Sequence, residues 1–220
     1  MNGGLQAILF DMDGTLVDSE KLWFRAEGEV MAWLGWDGVW GPEHQRQLVG
    51  GSMGRTVAYM LEVSGIGADP AEVARRLQDG VEALLREQVP LMPGAKDLLS
   101  EVQAAGVPAA LVTSTQRRIT EYVLDGLGRD YFTTTLTGDE VARPKPHPEP
   151  YLTAAERLGA DPARCVAIED SPTGVASAEA AGCAVVAIPS VTEILPAPGR
   201  TVVATLTDLD LGRLRALIGP

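Results

Sequence analysis

Short apolar runs alternate with stretches of helical period along most of this chain. Runs at Ala7–Phe10, Ala109–Val112, Val166–Ile168, Ala184–Ile188 and Thr201–Ala204 predict strands, with a weaker one near Thr133–Leu136. Helical stretches lie between them. Pro93–Gly94 opens one that runs to Gly106, Arg117–Leu127 forms another that ends near Gly128, and a third follows Pro148 and ends near Gly159. A fourth follows Ser171–Pro172 and ends at Gly182; Ser171 suits the N-cap and Pro172 the first helical position. This alternation predicts an α/β protein, a parallel sheet with crossover helices on its faces.

From Ser19 to about Arg86 the strands stop and only helical periodicity continues. Leu22, Ala26, Val30, Trp33 and Leu34 share one helical face, and Val73, Leu77, Val81, Leu84 and Leu85 share another. Asp69-Pro70-Ala71-Glu72 reads as a helix start, with an N-cap, a proline in the first position and an acid at N3. The expected organisation is a core of residues 1–17 and 90–220, with a helical module of residues 18–89 inserted after the first strand. Val17–Ser19 and Glu87–Pro93 would be its tethers, letting the module close over the core and exclude water. Trp23, Trp33, Trp36 and Trp40 all fall in this insert, and packing its interior is their expected task.

Composition narrows the field of partners. With 220 residues, 45% apolar and 22% charged, the chain is an ordinary globular length and mixture, which argues against disorder, collagen or coiled coil. No apolar run approaches the roughly 20 residues of a membrane helix. The N-terminus lacks the basic-then-apolar profile of a signal peptide, so a soluble cytoplasmic protein is expected. Eighteen basic residues against 30 acidic ones leave a net charge of −12. That weighs against nucleic acid or an anionic membrane as partner, yet permits a small anionic substrate held by one local cation. Cys165 and Cys183 lie in apolar stretches and read as buried free thiols. His44 and His147 are the only histidines, and their surroundings predict no zinc site.

Candidate chemistry gathers where predicted strands end. The first strand runs into Asp11-Met12-Asp13-Gly14-Thr15. Two acids one residue apart on an extended chain point to the same side, at the carboxyl end of a parallel strand where such sheets bind ligands. A bare D-x-D-G reads equally as a solvated acidic turn closed by glycine. A second strand, Val166–Ile168, leads into Glu169-Asp170-Ser171. If the two strands are neighbours, Asp11, Asp13, Glu169 and Asp170 converge and repel one another unless a cation neutralises them; hard oxygen donors favour Mg²⁺. The strand Ala109–Val112 ends in Thr113-Ser114-Thr115, where a hydroxyl and the next backbone N–H suit a phosphate oxygen. Lys145 stands between Pro144 and Pro146, which restrict its backbone and fix its aim.

Together these pieces resemble the haloacid dehalogenase (HAD) superfamily. The segments DMDGTLVDS, LVTS, RPKPHPEPY and IEDSPTG with the following ASAEAAG are similar to its four motifs, in order, across essentially the whole chain. The insert resembles the cap of the phosphoglycolate phosphatase and β-phosphoglucomutase branch. The resemblance implies a Rossmann-like core with an inserted α-helical cap, Asp11 as nucleophile and Asp13 as general acid and base. It further implies Mg²⁺ held by Asp11, the backbone carbonyl of Asp13 and Asp170, with Glu169 nearby or bound through water. Thr113, the Ser114 N–H and Lys145 would serve the phosphoryl group.

Within that superfamily the expected activity is a phosphatase acting on a small phosphorylated metabolite, with a phosphomutase as the alternative. Dehalogenases lack an acid two residues after the nucleophile, whereas Asp13 occupies that place here. Phosphonate-cleaving members use a cap lysine, and Lys21 is the only lysine in this insert. The mutases carry an arginine for a second phosphate, and an ungapped alignment puts Met53 there, with Arg55 two residues on. Glu20, Trp23, Arg46, Ser52 and Arg55 are the candidates for contact with the leaving group. A monomer is expected.

Overall fold

Six strands, β1 (Ala7–Phe10), β2 (Ala109–Val112), β3 (Thr134–Leu136), β4 (Cys165–Glu169), β5 (Ala184–Ala187) and β6 (Arg200–Val202), form one parallel sheet in the order β3-β2-β1-β4-β5-β6. The structure is a computed structural model and describes residues 4–219. Each strand predicted from the apolar runs is present, and the weak one at β3 forms an edge. β1 lies between β2 and β4, with Ile8 in register with Ala109 on one side and Val166 on the other.

Alternate residues of each strand serve opposite faces, as the two-residue period requires. Ile8, Phe10, Leu111 and Ile168 face α5 (Ala95–Ala104), α6 (Arg117–Leu127) and α9 (Leu211–Ala216). Ala7, Leu9, Ala110 and Ala167 face α7 (Glu149–Leu158) and α8 (Pro172–Ala180). Both faces are covered, which is why the central strands are apolar throughout rather than alternating. Ser171 caps α8 as expected, its hydroxyl accepting from the Gly174 N–H at 3.0 Å.

Four helices occupy the stretch between β1 and α5: α1 (Glu20–Leu34), α2 (Pro42–Leu48), α3 (Met53–Ser64) and α4 (Pro70–Glu87). The Asp69 side chain caps α4 by accepting from Ala71 N–H, as its sequence predicts. Val73, Leu77, Val81 and Leu85 of α4 are buried, together with Ala26 and Val30 of α1. A Cβ at Gly80 would press to 3.2 Å on that of Ala26, so the two helices approach closely there. The two chain crossings lie side by side: Asp18 N–H donates to Pro90 O at 2.8 Å and Met92 N–H to Leu16 O at 2.9 Å. Arg118 of α6 pairs with Asp79 of α4 at 2.8 Å, linking insert and core.

The tryptophans divide three ways. Trp36 and Trp40 pack as expected, with Trp40 stacked on His44 at 4.5 Å and edge-on to Trp36 at 6.1 Å. Trp33 departs from its expected interior place: it is 42% exposed, and the Arg76 guanidinium lies 4.1 Å from its ring. A cation over the ring face keeps this indole at the surface. Trp23 turns toward the ligand crevice.

Candidate active site

The chain leaves β1 at the point where the connections on either side diverge, the crevice in which open α/β sheets bind ligands. Asp11 N–H donates to Ile168 O at 3.0 Å, which ties the first acidic turn to the end of β4. Gly14 closes that turn at φ 79°, and a Cβ there would collide with the Asp170 carboxylate. Glycine therefore serves both the left-handed backbone and the close approach of the two acidic segments.

Lys145 reaches this point from the proline-rich segment. Its Nζ donates to Asp11 Oδ1 at 2.7 Å, Glu169 Oε1 at 2.6 Å and Val112 O at 2.9 Å, which uses all three of its N–H groups. Burial works against its charge, yet Asp11 and Glu169 hold the ammonium above the usual lysine range. Tyr151 of α7 donates to Glu169 Oε1, and the Ser171 hydroxyl donates to Glu169 Oε2 at 3.3 Å. These contacts fix Glu169, which aims Lys145 at Asp11.

Asp11, Glu169 and Asp170 each place a carboxylate oxygen within 4.8 Å of the others. Burial first, then the charge of Glu169, pushes Asp11 up to about 8 against the pull of Lys145. Burial and the charges of Asp11 and Glu169 hold Asp170 well above the carboxylate range, although Ser190 donates to it at 2.5 Å. Carboxylates this crowded keep protons unless a cation joins them, and a set made only of oxygen donors fits a hard divalent ion.

The Asp13 carboxylate stands outside that group. Its Oδ1 accepts from the Ser19 hydroxyl at 2.5 Å and from Trp23 Nε1 at 3.1 Å. Its Oδ2 accepts from the hydroxyls of Thr115 at 2.7 Å and Thr113 at 3.2 Å. Residues on both sides of the crevice, core and insert, thereby hold one side chain. Thr113 and Ser114 line the same recess.

The insert supplies the facing wall of a recess of about 70 Å³. Glu20 and Trp23, two of the candidates for contact with the leaving group, line it, and so do Glu27, Gln45, Met53 and Thr56. Burial, then the charge of Asp13, pushes Glu20 up to about 7, while Gln45 Nε2 lies 3.4 Å from its Oε2. Burial pushes Glu27 up to about 6, although Trp40 Nε1 donates to it at 3.1 Å. Three expected wall residues are not brought in. Arg46 is exposed on α2, and Ser52 caps α3 by accepting from Arg55 N–H. The Arg55 guanidinium turns to Gln47 O at 2.7 Å, because the start of α3 directs it along α2 rather than inward.

Glu27, Gln45, Thr56, Tyr151 and Ser190 carry no role in the sequence analysis. Glu27 alone carried a usable signal: it lies two helical turns after Glu20, hence on the same face of α1.

A family model for haloacid dehalogenase-like hydrolases matches residues 5–182. The chain belongs to that family. It is 37% identical over 195 residues to protein CbbY of Rhodobacter capsulatus, covering 84% of this chain and 86% of that protein. It is 33% identical over 190 residues to hexitol phosphatase B of Escherichia coli K12, covering 84% and 83%. A crystal structure of a CbbY mutant from Rhodobacter sphaeroides in complex with xylulose-(1,5)bisphosphate aligns with a TM-score of 0.87 at 31% identity, covering 96% of this chain and 99% of that one.

Proposed function

We propose that this hydrolase cleaves a small phosphate monoester, a sugar phosphate or similar compound, through an aspartyl-phosphate formed on Asp11. The observation that carries this is the meeting of Asp11, Lys145 and Asp170 in one buried site, beside a second carboxylate, Asp13, held by four donors. The phosphatase name of the Escherichia coli relative agrees with it. The helical insert, residues 18–89, acts as the cap over that site.

In the first step an Asp11 oxygen attacks phosphorus, and the bond from phosphorus to the substrate oxygen breaks. Asp13 gives its proton to the departing oxygen. In the second step Asp13 takes a proton from water as that water attacks phosphorus. The bond between phosphorus and the Asp11 oxygen breaks, which releases phosphate and restores the carboxylate. Lys145 holds Asp11 in place and sets positive charge beside the reacting group, while Thr113 and the Ser114 N–H bind phosphoryl oxygens. Asp11, Asp170 and the backbone carbonyl of Asp13 would hold Mg²⁺, with Glu169 behind them. When bound, the ion supplies positive charge against the phosphoryl oxygens.

Hydrolysis is favoured over the mutase alternative by Met53, which lines the recess while the Arg55 guanidinium turns to Gln47 O. A thioether does not pair with a second phosphate. The test is phosphate release from a panel of monoesters, with and without Mg²⁺, beside Asp11→Asn. Turnover should need the ion and fall at least about 10⁴-fold in the variant. Release that persists in Asp11→Asn overturns the mechanism. Interconversion of hexose 1- and 6-phosphates that depends on a bisphosphate overturns hydrolysis.

A further inference from the structure

The wall facing the reacting phosphate brings no cation to the recess. Among the described residues lining it, Lys145 is the one positively charged side chain, and its N–H groups are taken by Asp11, Glu169 and Val112 O. Basic residues of the insert turn elsewhere: Arg55 to Gln47 O, and Lys21 to Asp18 at 2.6 Å. The wall instead presents two carboxyl groups, Glu20 and Glu27, with the neutral Gln45 between insert helices.

We propose that the substrate carries a single phosphate on an uncharged, hydroxyl-rich leaving group. Glu20 and Glu27 select it by accepting its hydroxyls and by repelling a second phosphate or a carboxylate. This rests on the phosphatase function argued above and names the substrate class of that same site.

Polyol hydroxyls donate, and carboxylate oxygens accept without needing a cation. A second phosphate would bring further negative charge into a recess that Glu20, Glu27, Asp13 and Asp170 already line. It would find no free ammonium or guanidinium there, and like charges placed together discriminate strongly. A 2-phosphoglycolate carboxylate meets the same difficulty. Specificity of this kind works by exclusion, which is stronger than what an apolar pocket of similar size achieves. The two relatives differ in this chemistry, one complexed with a bisphosphate and one named for hexitol phosphates. The wall of this chain suits the second.

The experiment measures kcat/KM of the whole protein with Mg²⁺ on fructose 1-phosphate, fructose 1,6-bisphosphate, 2-phosphoglycolate and p-nitrophenyl phosphate. Fructose 1-phosphate should exceed the bisphosphate and phosphoglycolate by about a hundredfold. The double variant Glu20→Gln with Glu27→Gln should narrow that ratio about tenfold, because the repelling charges are gone. The ratio compares substrates within one protein, so a partly folded variant does not distort it, and the unmodified protein alone already decides the main point. Bisphosphate or phosphoglycolate within about threefold of fructose 1-phosphate overturns the inference. If p-nitrophenyl phosphate is still cleaved in an Asp11-dependent way, that result leaves the phosphatase function standing. Absence of any Asp11-dependent turnover overturns both.

Discussion

The floor and the wall of the recess carry negative charge in different ways. On the floor, Asp11 and Glu169 close on one buried ammonium, and their oxygens converge with those of Asp170. On the wall, Glu20 and Glu27 stand apart along α1, each with one neutral donor, Gln45 or Trp40. The floor is a pre-arranged deficit of positive charge with its oxygens aimed at a common point, which is what a divalent ion requires. The wall is a deficit with nothing aimed at a common point, which suits separate hydroxyls. Strand ends make the first arrangement, because neighbouring parallel strands deliver their loops to one edge. Helix faces make the second, because successive turns present side chains in a row.

The hardest way to break this comparison is Lys145→Ala. Removing one partner leaves Asp11 and Glu169 buried without their counter-charge, and one-sided loss of a buried ion pair costs about 3–5 kcal/mol. Urea unfolding at neutral pH reads that loss, and turnover should fall by about 10²–10³. Adding Glu169→Gln should restore part of the stability and none of the turnover. A Lys145→Ala protein as stable as the parent would mean that the floor does not depend on charge balance.

The same contrast explains what was legible in the sequence. Asp11, Glu169 and Asp170 follow apolar runs whose strand character is plain, so their convergence needed only the pairing of β1 with β4. Lys145 announced itself by its flanking prolines. Asp69, Ser171 and the glycine stops likewise act locally, and α4 and α8 begin where they predict. The wall is assembled from α1, α2 and α3, whose mutual angles no local signal encodes. Arg46 and Arg55 were attractive because they are cationic, yet a helix start and an exposed face direct them away. Trp33 looked apolar by period, but Arg76 of α4, a separate helix, gives it a partner at the surface. Tyr151 and Ser190 bond to residues 18 and 20 positions distant, which periodicity does not register.

A smaller effect sharpens the description of the wall. Glu27 rises from an ordinary 4.5 to about 6 through burial, so the folded protein binds its proton more tightly than the unfolded chain does. Its favourable contribution is complete below about 4.5 and is lost as pH rises through about 6. Glu27→Gln keeps an oxygen for Trp40 Nε1 and cannot ionise. It should therefore stabilise the protein by about 1–2 kcal/mol at pH 8 and leave it unchanged near pH 4. Urea midpoints at the two pH values check this. Equal gains at both would trace the effect to packing rather than to a suppressed charge.

The smallest expected effect belongs to Arg55→Ala. Arg55 is exposed, and its guanidinium spans from the first turn of α3 to the Gln47 carbonyl near the end of α2. Losing one exposed hydrogen bond changes stability by no more than about 0.5 kcal/mol. If the wall works without a cation, kcat/KM for a monophosphate should shift less than about twofold, and the preference over a bisphosphate should hold. A fall beyond tenfold, confined to KM, would place that guanidinium against the substrate in the working enzyme. The wall would then be balanced by a cation as the floor is by Lys145, and the distinction between them would reduce to how far each positive charge has to travel.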